Sequence, residues 1–345
     1  MNNSGSWSGE TVLITGVCGT VGREILRQIE QKDVKQIIGI DNNESELFFV
    51  AQDYMDDSRV KVFLCDLRDK HKLQELFRGV NIVIHAAALK HVIMCEESPG
   101  DAVQTNITGV QNVIDAASRN EVDRVLFTSS DKAVNPTNVM GTTKLMGERL
   151  MTAANAHKKY DTDPVYASTR FGNVLGSRGS VIPLFRKQIE AGGPVTITDT
   201  QMTRFIMTLE AAVSLVLDSV FLAQGGEVFV TKMPVANIGY LAEVMIEELA
   251  SDYGYDPNDI SINIVGSRPG EKLYEELMTD EEVRRTKEME DFLIVFPAFK
   301  YVYNAVDYND DRMQELEEGK PYNSAIIDPL SKIELRDYLL KNKLL

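Results

Sequence analysis

The chain has 345 residues, 43% hydrophobic and 26% charged, the balance of a soluble globular protein with two domains or one large one. Its net charge of −16 argues against a nucleic-acid partner, because neutralising a phosphate backbone takes a basic face. Three cysteines, Cys18, Cys65 and Cys95, show neither CxxC nor Cys/His ligand spacing, so neither a disulfide framework nor a metal site is expected.

Residues 1–10 are rich in Asn, Ser and Gly and lack the basic and apolar regions of a signal peptide, which predicts a flexible start and a cytoplasmic location. From there to about residue 170, short apolar runs alternate with amphipathic stretches. The runs Val12–Thr15, Ile37–Ile40, Val60–Leu64, Ile82–His85, Val125–Thr128 and Val165–Thr169 read as strands. Val21, Ile25 and Ile29 share one helical face, as do Val103, Ile107, Val110 and Ile114. Such alternation predicts an α/β fold with a doubly wound parallel sheet joined by right-handed crossovers.

The first strand runs into Gly16-x-x-Gly19-Thr20-Val21-Gly22 at the start of a helix. Glycines there let the backbone turn tightly and approach a pyrophosphate, whose charge meets the N–H groups and positive dipole end of the helix. The plain alternative is a glycine-rich turn without a ligand. Asp41 ends the second strand, about where the Rossmann dinucleotide fingerprint places its acid. A carboxylate there accepts both ribose hydroxyls and repels a 2′-phosphate. Asn42, Asn43 and Glu44 bring no compensating cation, so NAD is expected rather than NADP. Asp66 and Leu67 end the third strand, and Ala86 and Ala87 follow the fourth with small side chains that permit close backbone approach.

After the fifth strand come Ser130, Asp131 and Lys132, then Met140-x-x-x-Lys144, whose spacing puts Met140 and Lys144 one helical turn apart on one face. A thioether neither gives nor takes a proton at neutral pH, so acid/base work falls on the neighbours Asp131 and Lys132. An ordinary charged pair at a strand end is the alternative. Beyond Phe171-Gly172-Asn173, glycines and prolines break the pattern into shorter elements, as expected of a smaller substrate-holding part. The apolar stretch Leu209–Ala223 is too short to span hydrocarbon and reads as a buried helix. Asp280–Glu290 reads as a charged, exposed helix, and the acidic tail from Asp307 has no legible role.

Taken with His85-Ala86-Ala87-Ala88-Leu89-Lys90-His91, Arg170-Phe171-Gly172-Asn173 and Arg268-Pro269-Gly270-Glu271, these motifs make the chain resemble an extended short-chain dehydrogenase/reductase. More narrowly, it resembles the nucleotide-sugar 4,6-dehydratases of polysaccharide biosynthesis, over most of residues 11–275. Met140 stands where most of that family has tyrosine. Methionine-type members retain configuration at C5 and feed bacillosamine or legionaminic acid pathways, whereas the tyrosine type inverts. The resemblance implies a Rossmann-type NAD domain of residues 11–173 plus about 206–235, and a mixed α/β nucleotide-sugar domain of about 174–205 plus 236–345.

Its implied reaction on UDP-GlcNAc or GDP-GlcNAc oxidises C4, eliminates water across C5–C6 and returns hydride to C6. Lys132 would be the C5 base and Asp131 the acid on the C6 hydroxyl, an assignment the two flanking lysines leave reversible. Lys144 would hold the nicotinamide ribose and Ser130 the C4 oxygen. Arg268 and Glu271 would grip diphosphate and ribose, supplemented by Lys90, Asn173 and Arg204. A homodimer or higher homo-oligomer is implied, with no membrane partner. Two other readings remain open: a nucleotide-sugar 4-epimerase, which depends on the tyrosine and needs no extra acid/base pair, and a non-catalytic NAD-binding sensor.

Overall fold

Six parallel strands carry the computed structural model, which describes residues 6–156, 163–177, 179–266, 270–299, 306, 308, 310–316 and 321–345. They are β1 (Thr11–Thr15), β2 (Gln36–Asp41), β3 (Val60–Leu64), β4 (Ile82–His85), β5 (Arg124–Ser130) and β6 (Val165–Phe171), within a residue or two of the predicted runs. Their spatial order is β3-β2-β1-β4-β5-β6, so the chain reverses direction between β1 and β4. β1 and β4 are buried throughout because helices cover both faces, and this is why they read as unbroken apolar runs rather than alternating ones. On one face lie α1 (Thr20–Glu30), α2 (Glu44–Asp53) and α9 (Leu209–Leu222); on the other lie α3 (Lys70–Leu76), α6 (Gly109–Arg119) and α7 (Val139–Ala156).

The short helices α4 (Val92–Glu97) and α5 (Pro99–Val103) lead into a π-helical turn, Gln104–Thr108, before α6. The predicted single face is therefore split: Val110 and Ile114 are buried, but Val103 is exposed. Beyond β6, short strands β7 (Asn173–Val174), β8 (Val195–Ile197), β9 (Thr203–Met207), β11 (Val235–Asn237) and β12 (Ile262–Ile264) form two small sheets. With α8 (Val181–Glu190), α10 (Ile238–Leu249) and α12 (Lys332–Lys341) they enclose a second core around Phe185, Leu241 and Met245. The tail thus acquires a definite place, since α12 opens on a capping box of Ser331 and Glu334 and buries Leu335 and Leu339.

Three expectations need correction. Strands β10 (Val228–Thr231), β13 (Thr286–Glu288), β14 (Phe292–Val295) and β15 (Gln314–Glu315) extend the large sheet past β6, so residues 286–295 and 314–315 lie with it and not with the smaller part. Asp280–Glu290 is not one exposed helix. Only α11 (Asp280–Val283) is helical, one turn held by a capping box of Thr279 and Glu282, because Glu282 turns inward to a buried arginine. Residues 1–5 lie outside the described residues, but those after them are held: Trp7 packs edge-on against Phe221 at 4.8 Å, and Gly9 N donates to Asp33 O. Among the described residues no helix is long and apolar enough to cross a membrane.

Candidate active site

The reversal between β1 and β4 opens a crevice at the carboxyl ends of the strands, where open α/β sheets hold ligands. Gly16 follows β1 with φ +72°, and a Cβ on it would stand 2.7 Å from Ala87 Cα. Only glycine permits this approach. Gly22 packs behind the turn, where a Cβ would collide with the Gly16 carbonyl oxygen, so Gly22 and its neighbour Val21 shape the loop from the helix side. Gly19 precedes α1 without a side-chain cap, leaving the helix N-terminus to an incoming anion. The opposite wall, Ala86 and Ala87, is fixed by Thr15: its Oγ1 accepts the Ala87 N–H at 3.1 Å and meets His85 Nδ1 at 2.6 Å. Burial drives the His85 ring down to about 3, so it stays neutral.

Asp41 stands in the same crevice, one oxygen accepting from Cys18 N and the other from Asn43 N, both at 3.0 Å. The Cys18 thiol also hydrogen-bonds this carboxylate, whose remaining acceptor capacity would meet a ribose hydroxyl. The crevice, about 520 Å³, is lined by Gly16, Gly19, Thr20, Asp41, Asn42, Asp66, Leu67, Ala86 and Ala87, which brings together most of the predicted cofactor residues. Asp66 is engaged by Arg68 through two oxygens, at 2.6 Å and 3.0 Å. Lys90, expected at the substrate, lines this crevice instead. The glycine turn, the open helix end and the twin-acceptor carboxylate fit a dinucleotide such as NAD.

His91 is shared with a second cavity of about 410 Å³, lined also by Ile93, Met94, Lys132, Asn138, Glu271 and Glu275. Lys132 Nζ lies 3.1 Å from both oxygens of Asp131, which is buried to 1% exposure, and 3.7 Å from Glu275 Oε1. Burial pulls the Lys132 pKa down, but Asp131 and Glu275 outweigh it and leave it above its ordinary value, so Lys132 rests as an ammonium. The expected neutral base is therefore not the resting form. Ser130 Oγ accepts the Lys132 N–H at 3.2 Å and steadies the turn.

Helix α7 supplies the remaining predicted groups. Its first turn is fixed by Glu96, which accepts from Val139 N at 2.6 Å, and by Asn138, which accepts from Gly141 N at 2.8 Å. Met140 is buried among Cys95, Ala102, Val92 and Val139, an apolar packing role that a thioether suits. Lys144 runs under β5, donates to Thr128 O at 2.9 Å and sits 4.7 Å over the Phe127 ring. Burial lowers it to about 8, against the opposing charge of Glu148.

Of the predicted substrate residues, Glu271 lines the second cavity and accepts from Thr198 Oγ1 at 3.2 Å. Arg268 lies outside the described residues. Arg204 donates to the backbone oxygens of Thr203, Lys272 and Leu273 and places Nε 3.5 Å from Glu275, so it fastens the 272–275 segment. Asn173 donates to Phe205 O within the small sheet.

Two residues escaped the sequence. Asn106, in the π turn, is buried; it exchanges hydrogen bonds with the Leu89 backbone and donates to Thr143 Oγ1 at 3.0 Å, joining the cofactor wall to α7. Its signal was an amide inside an apolar helical pattern. Glu275 gave no signal, lying in a charged run that reads as surface.

The model of the polysaccharide biosynthesis protein family matches residues 12–297. An uncharacterised membrane protein of Methanocaldococcus jannaschii is 47% identical, over 88% of this chain and 93% of that one. The UDP-N-acetylglucosamine 4,6-dehydratase (inverting) of Campylobacter jejuni serotype O:23/36 is 36% identical, over 92% and 93%. Among solved structures, Pen from Bacillus thuringiensis superposes with TM-score 0.89 at 39% identity, over 98% of this chain and 99% of that one. The dTDP-glucose 4,6-dehydratase DesIV of Streptomyces venezuelae, solved with NAD, shares the fold at TM-score 0.65 and 22% identity, over 76% and 86%. The match over residues 12–297 and these full-length relatives establish the conclusion: the chain belongs to the polysaccharide biosynthesis protein family.

Proposed function

We propose that this chain is an NAD-dependent nucleotide-sugar 4,6-dehydratase acting on UDP-GlcNAc. The observation that carries this reading is the ion pair of Asp131 and Lys132, 3.1 Å apart, at a cavity that shares His91 with a dinucleotide-shaped crevice. An epimerase on this scaffold has no need of a second acid/base pair, and a sensor has no need of a second cavity. The name of the Campylobacter relative supports uridine as the nucleotide. Retention at C5 rests on Met140, while that relative's name says inverting.

When bound, NAD supplies the acceptor for the C4 hydride and its return to C6. The protein's residues do the rest. Oxidation at C4 makes the C5 hydrogen acidic as that of an enolisable ketone, and Lys132, once it sheds its proton, is the group to remove it. Asp131 fixes the Lys132 head group from behind. Lys144 and Ser130 steady charge at the C4 oxygen, and Glu271 accepts from the nucleotide ribose.

The test is to incubate the protein with UDP-GlcNAc, and separately GDP-GlcNAc, in deuterated water and follow the sugar by NMR. A 4-keto-6-deoxy product carrying deuterium at C5 is expected with UDP-GlcNAc, with ring couplings of the retained configuration. An unchanged sugar with both donors, or a C4 epimer, would refute the dehydratase.

A further inference from the structure

We propose that Glu46 is a second determinant of NAD over NADP, acting by holding the Arg23 guanidinium away from an incoming 2′-phosphate. The inference rests on the crevice being a dinucleotide site and goes beyond the role given to Asp41. Along the chain no cation follows Asp41, because Asn42, Asn43 and Glu44 carry none. The fold supplies one from elsewhere: Arg23, on α1, reaches across to the first turn of α2.

Arg23 Nη2 donates to Glu46 Oε2 at 3.1 Å and to Glu46 O at 3.4 Å, while Nη1 donates to Asp53 Oδ2 at 3.2 Å. Its Nε is buried and finds no partner among the described residues. A buried donor without an acceptor is unusual, and a phosphate is the kind of anion that takes Nε and Nη2 together as a fork. Glu46 stands in the way by keeping Nη2.

The pair forms a wall between two spaces. Glu46 and Asp41 line the cofactor crevice, Arg23 and Asp53 line an adjoining cleft of about 970 Å³, and Thr20 lines both. The charges on the two sides are felt together at Cys18, whose backbone N–H donates to Asp41 at 3.0 Å. Burial first, and then the charge of Asp41, pushes the Cys18 thiol up to about 12, with Arg23 opposing and Glu46 adding to the rise. The guanidinium is therefore near the ribose-binding carboxylate but spent on two others. A ribose hydroxyl is neutral and needs only the acceptor of Asp41. A 2′-phosphate brings about 1.5–2 negative charges, and it meets Asp41 and Glu46 without a cation released to answer them.

The experiment is a calorimetric titration of the full chain with NAD and with NADP, without sugar nucleotide and at one fixed salt concentration, since charges this exposed are screened. The wild type should bind NAD more tightly. Glu46→Gln should raise the ratio of NADP affinity to NAD affinity by about tenfold to hundredfold, and its binding of NAD verifies the fold. Asp53→Asn removes the same charge on the side of the cleft but leaves Nη2 with Glu46, so its ratio should move less than threefold. Glu46→Gln/Arg23→Leu, with one carboxylate and one guanidinium fewer, should return to within threefold of the wild-type ratio. If that double variant binds no NAD, Glu46→Gln/Arg23→Gln, which keeps a polar side chain at residue 23, takes its place. A ratio unmoved in Glu46→Gln, an equal rise in Asp53→Asn, or a rise that persists in the double variant would overturn the proposal, as would a wild type that takes NADP as tightly as NAD. A wild type that binds neither dinucleotide would instead sink the reading of the crevice itself.

Discussion

The cofactor crevice and the reaction cavity adjoin at His91 but are built by different means. The crevice is backbone work: Gly16 against Ala87, Gly22 against Gly16, and an uncapped helix start, all within chain segments that follow one another through β1 and β2 or sit at the neighbouring end of β4. The cavity is side-chain work, in which Lys132 meets Glu275, Arg204 meets Glu275, and Thr137 and Asn138 meet Gly270 O at 3.2 Å, each pair far apart in sequence. Shape constraints of the first kind tolerate few substitutions and shift binding. Charge constraints of the second kind shift rate and pH dependence.

The largest effect belongs to the cavity. Lys132→Ala removes the proposed C5 base, and C5 deuterium incorporation should fall by roughly 10²–10⁴-fold while bound NADH still forms. Exchange at the wild-type rate would remove Lys132 from the chemistry and leave the Asp131–Lys132 pair as a strand-end ion pair.

Next is the arginine beneath both regions. Arg170, 1% exposed, makes two bonds to Glu148 at 2.8 and 2.7 Å, two to Glu282 at 2.9 and 2.8 Å, and one to Leu277 O at 3.0 Å. All five donors of its guanidinium are used. It thus ties α7, which carries Lys144, to the segment that carries Glu275. Burial pushes Glu282 up, but Arg170 outweighs it and holds Glu282 at about 2. Arg170→Leu leaves Glu148 and Glu282 buried with only the weaker charges of Lys144 and of Arg285, 3.7 Å from Glu282, and should cost about 3–5 kcal/mol in urea unfolding at pH 7. The wild type keeps this stabilisation above pH ~4.5 and loses it as the pH falls toward 2, so the gap between the two proteins should narrow in acid. A gap that stays constant as the pH is taken from about 5 down to about 2 would mean the loss is packing alone.

Lys144 separates the two regions by sign. Its folded pKa is lowered to about 8, chiefly by burial, from an ordinary value near 10.5. Between those values the unfolded chain holds a proton that the folded one has released, so folding stability rises with pH across the window 8 to 10.5 and the charge penalty is fully present below it. The shift corresponds to a penalty on the order of 3 kcal/mol in the cofactor-free protein at pH 7. Relative to Lys144→Met, the wild type should gain stability as the pH goes from 7 to 10. A flat difference would show that Nζ finds compensation beyond Thr128 O and the Phe127 ring.

The same contrast explains what the sequence made legible. β1, β2, β4, β5 and β6 appeared as apolar runs because a parallel sheet covered on both faces buries nearly all of their residues, whereas the edge strand β3 was legible from its apolar residues although it is largely exposed. Gly16, Gly19 and Asp41 were legible because the dinucleotide turn imposes fixed spacing along one segment. Glu282 and Glu275 were not. Sequence reasoning treats a charged run as solvated, and only tertiary contact with Arg170, Lys132 and Arg204 reveals that these two carboxylates face inward. Arg204 was expected at the substrate, and nothing local in the sequence shows that its guanidinium also bonds the carbonyls of Thr203, Lys272 and Leu273.

The smallest effect tests the crevice by shape alone. Gly22→Ala adds one methyl group and no charge, at a backbone conformation that alanine tolerates within α1. That methyl meets the Gly16 carbonyl oxygen, and Gly16 cannot retreat because Ala87 stands behind it. Relief must come from moving the turn away from the helix start, which spoils the alignment of the N–H groups with a pyrophosphate. NAD affinity should weaken by about tenfold, ~1.4 kcal/mol, in a fluorescence titration. The pH profile of elimination by enzyme saturated with NAD should keep its wild-type form, because no group of the Asp131–Lys132–Glu275 cluster touches the turn. A changed profile in Gly22→Ala would mean that the crevice and the cavity are mechanically coupled through the Ala86–His91 segment, and the division between a shape-built and a charge-built half would fail.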